Sequence, residues 1–401
     1  MPLLSRAIAG TRLPRHLVLL LILALALILR IAAALLLPDQ SQSLPDSIGY
    51  RAAARQLWDT LHISDRSHIM PLYPVLIAIT NPGTGQLLAD ISLSVLTVWL
   101  VYALTDAIFA DRLCSLLAAF ATAVYPHLIF FSVVGLTETL FITLLLAAFV
   151  CWYRGFFIAA AIFAVLSILT RPIMDLLAPF LVAYFAIAIH RLPWRGVLRQ
   201  LLIYGAIYCV MLAPWWLHNF QIYGAFVRLN LGSGLAIFSG NNPGNLTGGI
   251  DRNLDAHTAQ FNRIRDPVAR DAALREAAFR HIRQNPSQFI EQGFLKLLRF
   301  WRLWPYTESY SRSFYIIASI VSFGPVLLLA CIYLLFWGRR EAKRIAPLLM
   351  FGAYLTAVHM VVPGSIRYRL PLEPFLIVMA GTAAGRLIRM AQAKKTAESP
   401  M

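Results

Sequence analysis

Long, nearly uninterrupted apolar runs constrain this chain more than any other feature of its sequence. Residues 17–37 are the plainest case, twenty-one positions in which Arg30 is the one charged side chain. About 20 mainly apolar residues are what an α-helix needs to cross a bilayer, where every backbone polar group must be satisfied internally. Runs of this kind recur at 17–37, 87–105, 113–130, 136–152, 156–169, 173–190, 198–217, 314–337, 346–362 and 370–387. The expected fold is an all-α polytopic membrane protein with about ten transmembrane helices. Composition agrees: 59% of residues are hydrophobic and 13% are charged, where soluble proteins average about 25% charged. Disordered, collagenous and disulfide-stapled classes are excluded by the same balance. The first run is longer than a signal-peptide core and has no small-residue cleavage site after it, so it is expected to remain as a helix.

The net charge of +16 invites a nucleic-acid reading, but its distribution argues against one. The basic residues fall mainly in the short gaps between apolar runs, where they encode orientation. One set of ends carries Arg6, Arg12, Arg15, Arg112, Arg154, Arg191, Arg195, Arg199, Arg339, Arg340, Lys343, Arg344, Arg386, Arg389, Lys394 and Lys395. With an even helix count, both termini are expected in the cytoplasm. The opposite ends hold two long segments, 38–86 and 218–312, which then face the periplasm or its equivalent. The expected organisation is a membrane module over 1–217 containing the first outer loop, an outer subdomain over 218–312, and C-terminal helices with a tail over 313–401. Cys114, Cys151, Cys209 and Cys331 lie in or beside apolar runs without metal-ligand or disulfide spacing, and read as small hydrophobes.

In the first outer loop, Pro45-Asp46-Ser47 reads as a helix start, followed by a stripe through Ile48, Ala52, Leu57 and Trp58 that suits the membrane surface. Asp46 can simply cap that helix, but it is also an outward carboxylate beside Tyr50, Arg51 and Arg55. Glu138 opens the fourth run, where the helix dipole alone would favour it. Arg171 and Asp175 flank Pro172 and read as a local pair. Arg30 either snorkels to the outer headgroups or anchors an anion there. Arg367 and Arg369 are two residues apart at the outer interface, a spacing that puts both on one side of an extended segment. The guanidinium fork suits phosphate; anchoring to headgroups is the plainer reading. Pro214-Trp215-Trp216 reads as an interfacial aromatic belt, and residues 251–300 as helical with a break at Pro286. Gly232-Ser233-Gly234 lacks the context of a phosphate loop, Asn245-Leu246-Thr247 is a chance-level sequon, and the histidines lack metal spacing.

A carboxylate and arginines at one membrane surface suit chemistry on a sugar carried by a polyprenyl phosphate. The leaving phosphate is a stable anion, so one general base and bound cations suffice, whereas glycoside hydrolysis usually takes two carboxylates. Four stretches carry a family likeness: Arg30 with Pro45-Asp46-Ser47-Ile48-Gly49-Tyr50; Tyr125-Pro126 with Thr137-Glu138-Thr139-Leu140-Phe141; Pro214-Trp215-Trp216 with Gly240-Asn241-Asn242-Pro243; and Arg367-Tyr368-Arg369-Leu370-Pro371. In these the chain resembles the bacterial GT-C-fold glycosyltransferases that use polyprenyl-phosphate sugars, relatives of protein O-mannosyltransferases and lipid A aminoarabinose transferases. The resemblance implies Asp46 as the catalytic acidic residue and Glu138 as a second acidic position. It also implies Arg367 and Arg369 on the lipid phosphate, with Arg30 orienting them. Tyr50, Arg171 and His218 complete the expected substrate-binding set. The first loop holds Ser47 where relatives often have a second acidic residue, and His218 stands where many have arginine. No cofactor is indicated, although a divalent metal is compatible with the family. The expected partners are a polyprenyl-phosphate sugar donor, an acceptor that is a glycan, lipid or protein, and the bilayer. A lipid-linked sugar flippase and a non-catalytic envelope-assembly subunit are the alternatives; charge gathered at one surface rather than mid-bilayer favours the enzyme.

Overall fold

The computed structural model describes residues 16–37, 44–63, 67–245, 247–249, 253–305 and 313–398. Arg6, Arg12, Arg15, Arg312 and Leu246 of the sequon lie outside them. The described residues form helices and turns, with no strand among them. The first helices are α1 (Leu17–Leu36), α2 (Pro45–Thr60), α3 (Leu72–Thr80), α4 (Thr84–Phe109), α5 (Arg112–Ala123) and α6 (Pro126–Phe131). There follow α7 (Glu138–Tyr153), α8 (Phe157–Thr170), α9 (Ala178–Tyr184), α10 (Trp194–Tyr223), α11 (Ser233–Gly240) and α12 (Leu254–Thr258). The last six are α13 (Pro267–Gln284), α14 (Pro286–Trp301), α15 (Ser313–Tyr333), α16 (Ala342–Val361), α17 (Ile366–Arg369) and α18 (Glu373–Glu398).

Six stretches are long and apolar enough to cross a membrane: α1, α4, α10, Ser313–Gly338, α16 and Ile366–Thr396. The other four expected spans appear as the shorter apolar helices α5, α7, α8 and Ala178–Ile189, so the count of ten is not reproduced. Proline sets their ends. Tyr125-Pro126 closes the α5 run, and Pro172 turns Arg171, the residue after α8, to an extended backbone (φ −148°, ψ 127°). Burial explains why short helices suffice. Every residue of α7 from Glu138 to Leu146 is buried, and a helix jacketed by protein need not match the thickness of the lipid.

That jacket is α4 and α8, which pack directly against α7; α18 lies against α5 and α15. The centre is aromatic: Phe149 sits 4.7 Å from Phe375 and 5.6 Å from Trp152, ring centre to ring centre, and Trp152 stacks on Phe185. Truncating such a buried ring costs about 3–5 kcal/mol, so the inner bundle is a rigid base for whatever stands on it.

Arg30 neither snorkels nor anchors an anion at the surface. It is fully buried, donating to Ser94 Oγ and to the Ala123 carbonyl at 2.8 Å each and to the Ala26 carbonyl at 3.1 Å. It fastens α1 to α4 and to the end of α5, and its hydrogen bonds go to these groups rather than to the site formed by the other arginines.

At one end of the bundle stand α2 and α3 from the 38–86 segment and α11 to α14 from the 218–312 segment. Helix α10 continues through Pro214 to Tyr223 and stops at Gly224, whose φ of +63° suits glycine. His218, at the start of the expected outer subdomain, is therefore helical. The indoles of the expected aromatic belt also hold the returning chain: Trp215 Nε1 donates to the Leu229 carbonyl at 2.5 Å and Trp216 Nε1 to the Arg228 carbonyl at 2.8 Å. Asp266 caps α13 through the Val268 amide, and Pro286 opens α14 at the expected break.

Candidate active site

Four chain segments bring one charged side chain each to a common point. Asp46 lies in the first turn of α2, whose N-cap is Leu44; its carboxylate accepts from Arg367 instead of capping. Glu138 is the first residue of α7, Arg171 follows α8 and Arg367 belongs to α17. Arg367 Nη1 lies 2.5 Å from Asp46 Oδ2, and its Nε bonds Glu138 Oε1. Arg171 Nη1 stands 2.7 Å from the same Glu138 oxygen. Burial separates the two carboxylates: the Glu138 side chain is wholly buried and that of Asp46 is 50% exposed. Glu138 thus holds two guanidiniums from below, while Asp46 faces outward.

Local sequence explains this convergence. The extended backbone before Pro172 carries Arg171 out of the line of α8 toward Glu138, so it does not make the expected local pair. Asp175 instead takes Arg228 and accepts from Tyr208 at 2.6 Å. Ser365 caps α17 by accepting from the Arg367 amide at 3.3 Å. Gly364 permits the tight approach beside it, since a Cβ there would stand 2.4 Å from the Lys296 carbonyl oxygen. Tyr368 stacks on His359, which stacks on Phe300. Ser47 Oγ donates to the Val134 carbonyl at 2.7 Å, tying α2 to the segment that leads into Glu138.

The group borders a cavity of about 370 Å³ lined by Asp46, Gly49, Tyr50, His68, Arg171, Arg367 and Tyr368, among others. Tyr50 meets Tyr73 edge to face at 5.4 Å. Burial, and next the Glu138 carboxylate, push the Tyr50 phenol above its ordinary pKa, which keeps it a neutral donor. His68 was not selected from sequence, and Tyr368 and Ser47 appeared only inside motifs read for their charged neighbours; their places here follow from the fold.

Besides Arg30, two more expected binding residues, Arg369 and His218, stand apart from this cavity lining. Residues 366–369 are helical rather than extended, so Arg367 and Arg369 point to different sides. Arg369 is fully buried, donating to Glu373 at 2.9 Å and to the carbonyls of Phe300 and Arg302 at 3.0 and 2.6 Å, over the Phe323 ring. Glu373 also meets His127 at 3.0 Å. His218 stacks on Trp215 and accepts from the Ile63 amide at 3.0 Å, which ties the chain just after α2 to α10. For a metal, no group of three or more His, Cys, Asp and Glu side chains is suitably placed among the described residues. Asp46, which lines the cavity, and Glu138, buried behind it, are bridged by the Arg367 guanidinium.

Apolar helices around a short-helix core, with a helical cap over a charged cavity, make up an all-helical fold with six stretches long and apolar enough to cross a membrane among the described residues. Among solved structures its fold is similar to that of the archaeal oligosaccharyltransferase AglB from Archaeoglobus fulgidus in complex with an inhibitory peptide and a dolichol-phosphate. The TM-score is 0.57 at 13% identity, over 95% of this chain and 52% of that one. The apo form of the A. fulgidus oligosaccharyltransferase gives 0.56 at 14% identity, over 94% and 52%. The chain thus spans about half the length of these relatives. ArnT from Cupriavidus metallidurans, bound to undecaprenyl phosphate, gives 0.41 at 14% identity over 92% of this chain and 78% of that one. No protein-family model matches the chain, and no curated protein matches its sequence.

Proposed function

We propose that this chain is an integral-membrane glycosyltransferase that moves a sugar from a polyprenyl-phosphate donor to an acceptor at the outer face of the cytoplasmic membrane. The observation that carries the reading is that Asp46, Arg171 and Arg367 line one cavity, with Glu138 buried behind them and paired with both guanidiniums. The lipid phosphate in the AglB complex, on a similar fold, supports the choice of donor.

In this reading the donor phosphate docks on Arg367 and Arg171, which Glu138 holds in place. Docking draws Arg367 away from Asp46 and so frees the carboxylate. The acceptor hydroxyl oxygen then attacks the anomeric carbon as its proton passes to Asp46. The bond between the anomeric carbon and the phosphate oxygen breaks, and its electron pair leaves with the lipid phosphate. Proton removal by a placed base contributes about 10²–10⁴-fold, and the guanidiniums stabilise the leaving anion in a partly dehydrated site. Arg30, Arg369 and His218 take no direct part.

The test is reconstitution with a panel of polyprenyl-phosphate sugars and candidate acceptors. Release of free polyprenyl phosphate should require both substrates and should be lost in Asp46→Asn. Passage of intact lipid-linked sugar across the bilayer, with no release, would identify the flippase alternative.

A further inference from the structure

Helix α14 is inside out for a helix facing water. Its protein-facing side is carried by Gln292, Gly293, Lys296 and Phe300, all buried, while Ile290, Phe294 and Leu298 are 59%, 58% and 68% exposed. A surface helix ordinarily turns its apolar stripe inward. The inner side of α14 is polar because it meets backbone and amide groups: Gln292 Nε2 donates to the Asn245 carbonyl, and Lys296 Nζ to Asn241 Oδ1 and the Val361 carbonyl. The outward stripe, spaced four residues apart on one face, meets no such partner.

That stripe runs into a concavity of about 930 Å³ whose lining includes Leu295, Leu298, Arg299, Trp301, Arg302 and Trp304. Arg302 lies over the Trp304 ring, 4.4 Å from its centre. Leucine, tryptophan and arginine sharing one concave face match the bilayer interface, where indoles and guanidiniums sit at headgroup depth and aliphatic side chains reach the acyl region. The chain itself leads there, since the apolar span Ser313–Gly338 is the next described element.

We propose that α14 and the groove beside it form a lipid-docking surface. Ile290, Phe294 and Leu298 enter the acyl region of the leaflet, and Arg299 and Arg302 take the phosphate of an anionic phospholipid. The cap would then be moored to the membrane at a second place, independent of the cavity that holds Asp46.

The full chain in nanodiscs of phosphatidylcholine, with or without phosphatidylglycerol, tests this when each lipid in turn carries a diazirine in its acyl chain. Irradiation should place adducts on Ile290, Phe294 and Leu298, with several-fold more from phosphatidylglycerol than from phosphatidylcholine. Arg299→Gln with Arg302→Gln should abolish that excess while labelling of Ser313–Gly338 stays unchanged, which controls for folding. Adducts confined to the spans would overturn the surface, and equal labelling by both lipids would overturn the phosphate role. Cross-links between two copies, or labelling that appears only when polyprenyl phosphate is added, would assign the face to another occupant and overturn the proposal.

Discussion

Arg367 Nη1 and Asp46 Oδ2 lie 2.5 Å apart although 321 positions separate them in the chain. This ion pair ties α2 to α17, and it opposes the base role proposed for Asp46 as long as it lasts. Asp46→Asn should therefore have two effects. Turnover should fall by about 10²–10⁴-fold, and the donor KM should stay level or drop, because Arg367 no longer has a competing carboxylate. Steady-state kinetics that separate kcat from donor KM check both; near-normal turnover rules out the base.

How much of this was legible in the sequence depends on the range of the interaction involved. The apolar runs emerge as helices because composition over a window decides that outcome, while their lengths follow from prolines and burial. Asp46, Glu138, Arg171 and Arg367 stand out as charges at the edges of apolar runs. Arg369 looks equivalent to Arg367 until Ser365 caps a helix and turns the two apart. Arg30 is decided by Ser94 and the Ala123 carbonyl, 64 and 93 positions away. His68 and Lys296 carry no local signal for their places, and the bond of Ser47 to Val134 exists only once distant segments meet.

The two outer arginines should fail differently. Glu138 is wholly buried and bonded by Arg367, so Arg367→Ala leaves a buried carboxylate with Arg171 as its remaining cation. Breaking a buried pair from one side costs about 3–5 kcal/mol. Glu138→Gln with Arg367→Gln should recover part of that loss but no transfer. Arg369→Ala should also destabilise, by leaving two carbonyls unpaired and Glu373 with His127 alone, yet protein that survives should keep its donor KM. Thermal unfolding in detergent alongside donor titration distinguishes the two; a raised donor KM in Arg369→Ala would return that residue to the site.

Lys296 gives a pH signature outside the membrane-spanning helices. Burial lowers its pKa to about 8 from an ordinary 10.5, with the Asn241 side chain and the Val361 carbonyl as acceptors. The folded state therefore resists the charged form. Below about pH 8 lysine is protonated whether folded or not, and the full penalty applies. Between about 8 and 10.5 the unfolded chain binds more protons, so stability rises with pH; above that it levels off. The gain is of the order of 3 kcal/mol at about 1.4 kcal/mol per pH unit. Melting temperature measured from pH 7 to 10.5 should show the wild type gaining on Lys296→Met; parallel curves would mean that lysine stays charged in the fold.

Gly364 is where the cap sets the position of Arg367. A Cβ at this residue would stand 2.4 Å from the Lys296 carbonyl oxygen, which is backbone of α14 and has little freedom to retreat. Gly364→Ala must therefore push the 361–365 turn away from α14 and carry the cap of α17 with it, at about 1–3 kcal/mol for overpacking. Because Ser365 and Arg367 move together, the expected result is a raised donor KM beyond what the stability loss explains. Gly205, within α10, has open space around the same added carbon. Gly205→Ala should leave kinetics unchanged and hold or slightly raise stability, as a helical glycine-to-alanine change does. If Gly364→Ala behaves like Gly205→Ala, then the turn does not set the position of Arg367, and the link between the cap and the donor phosphate fails with it.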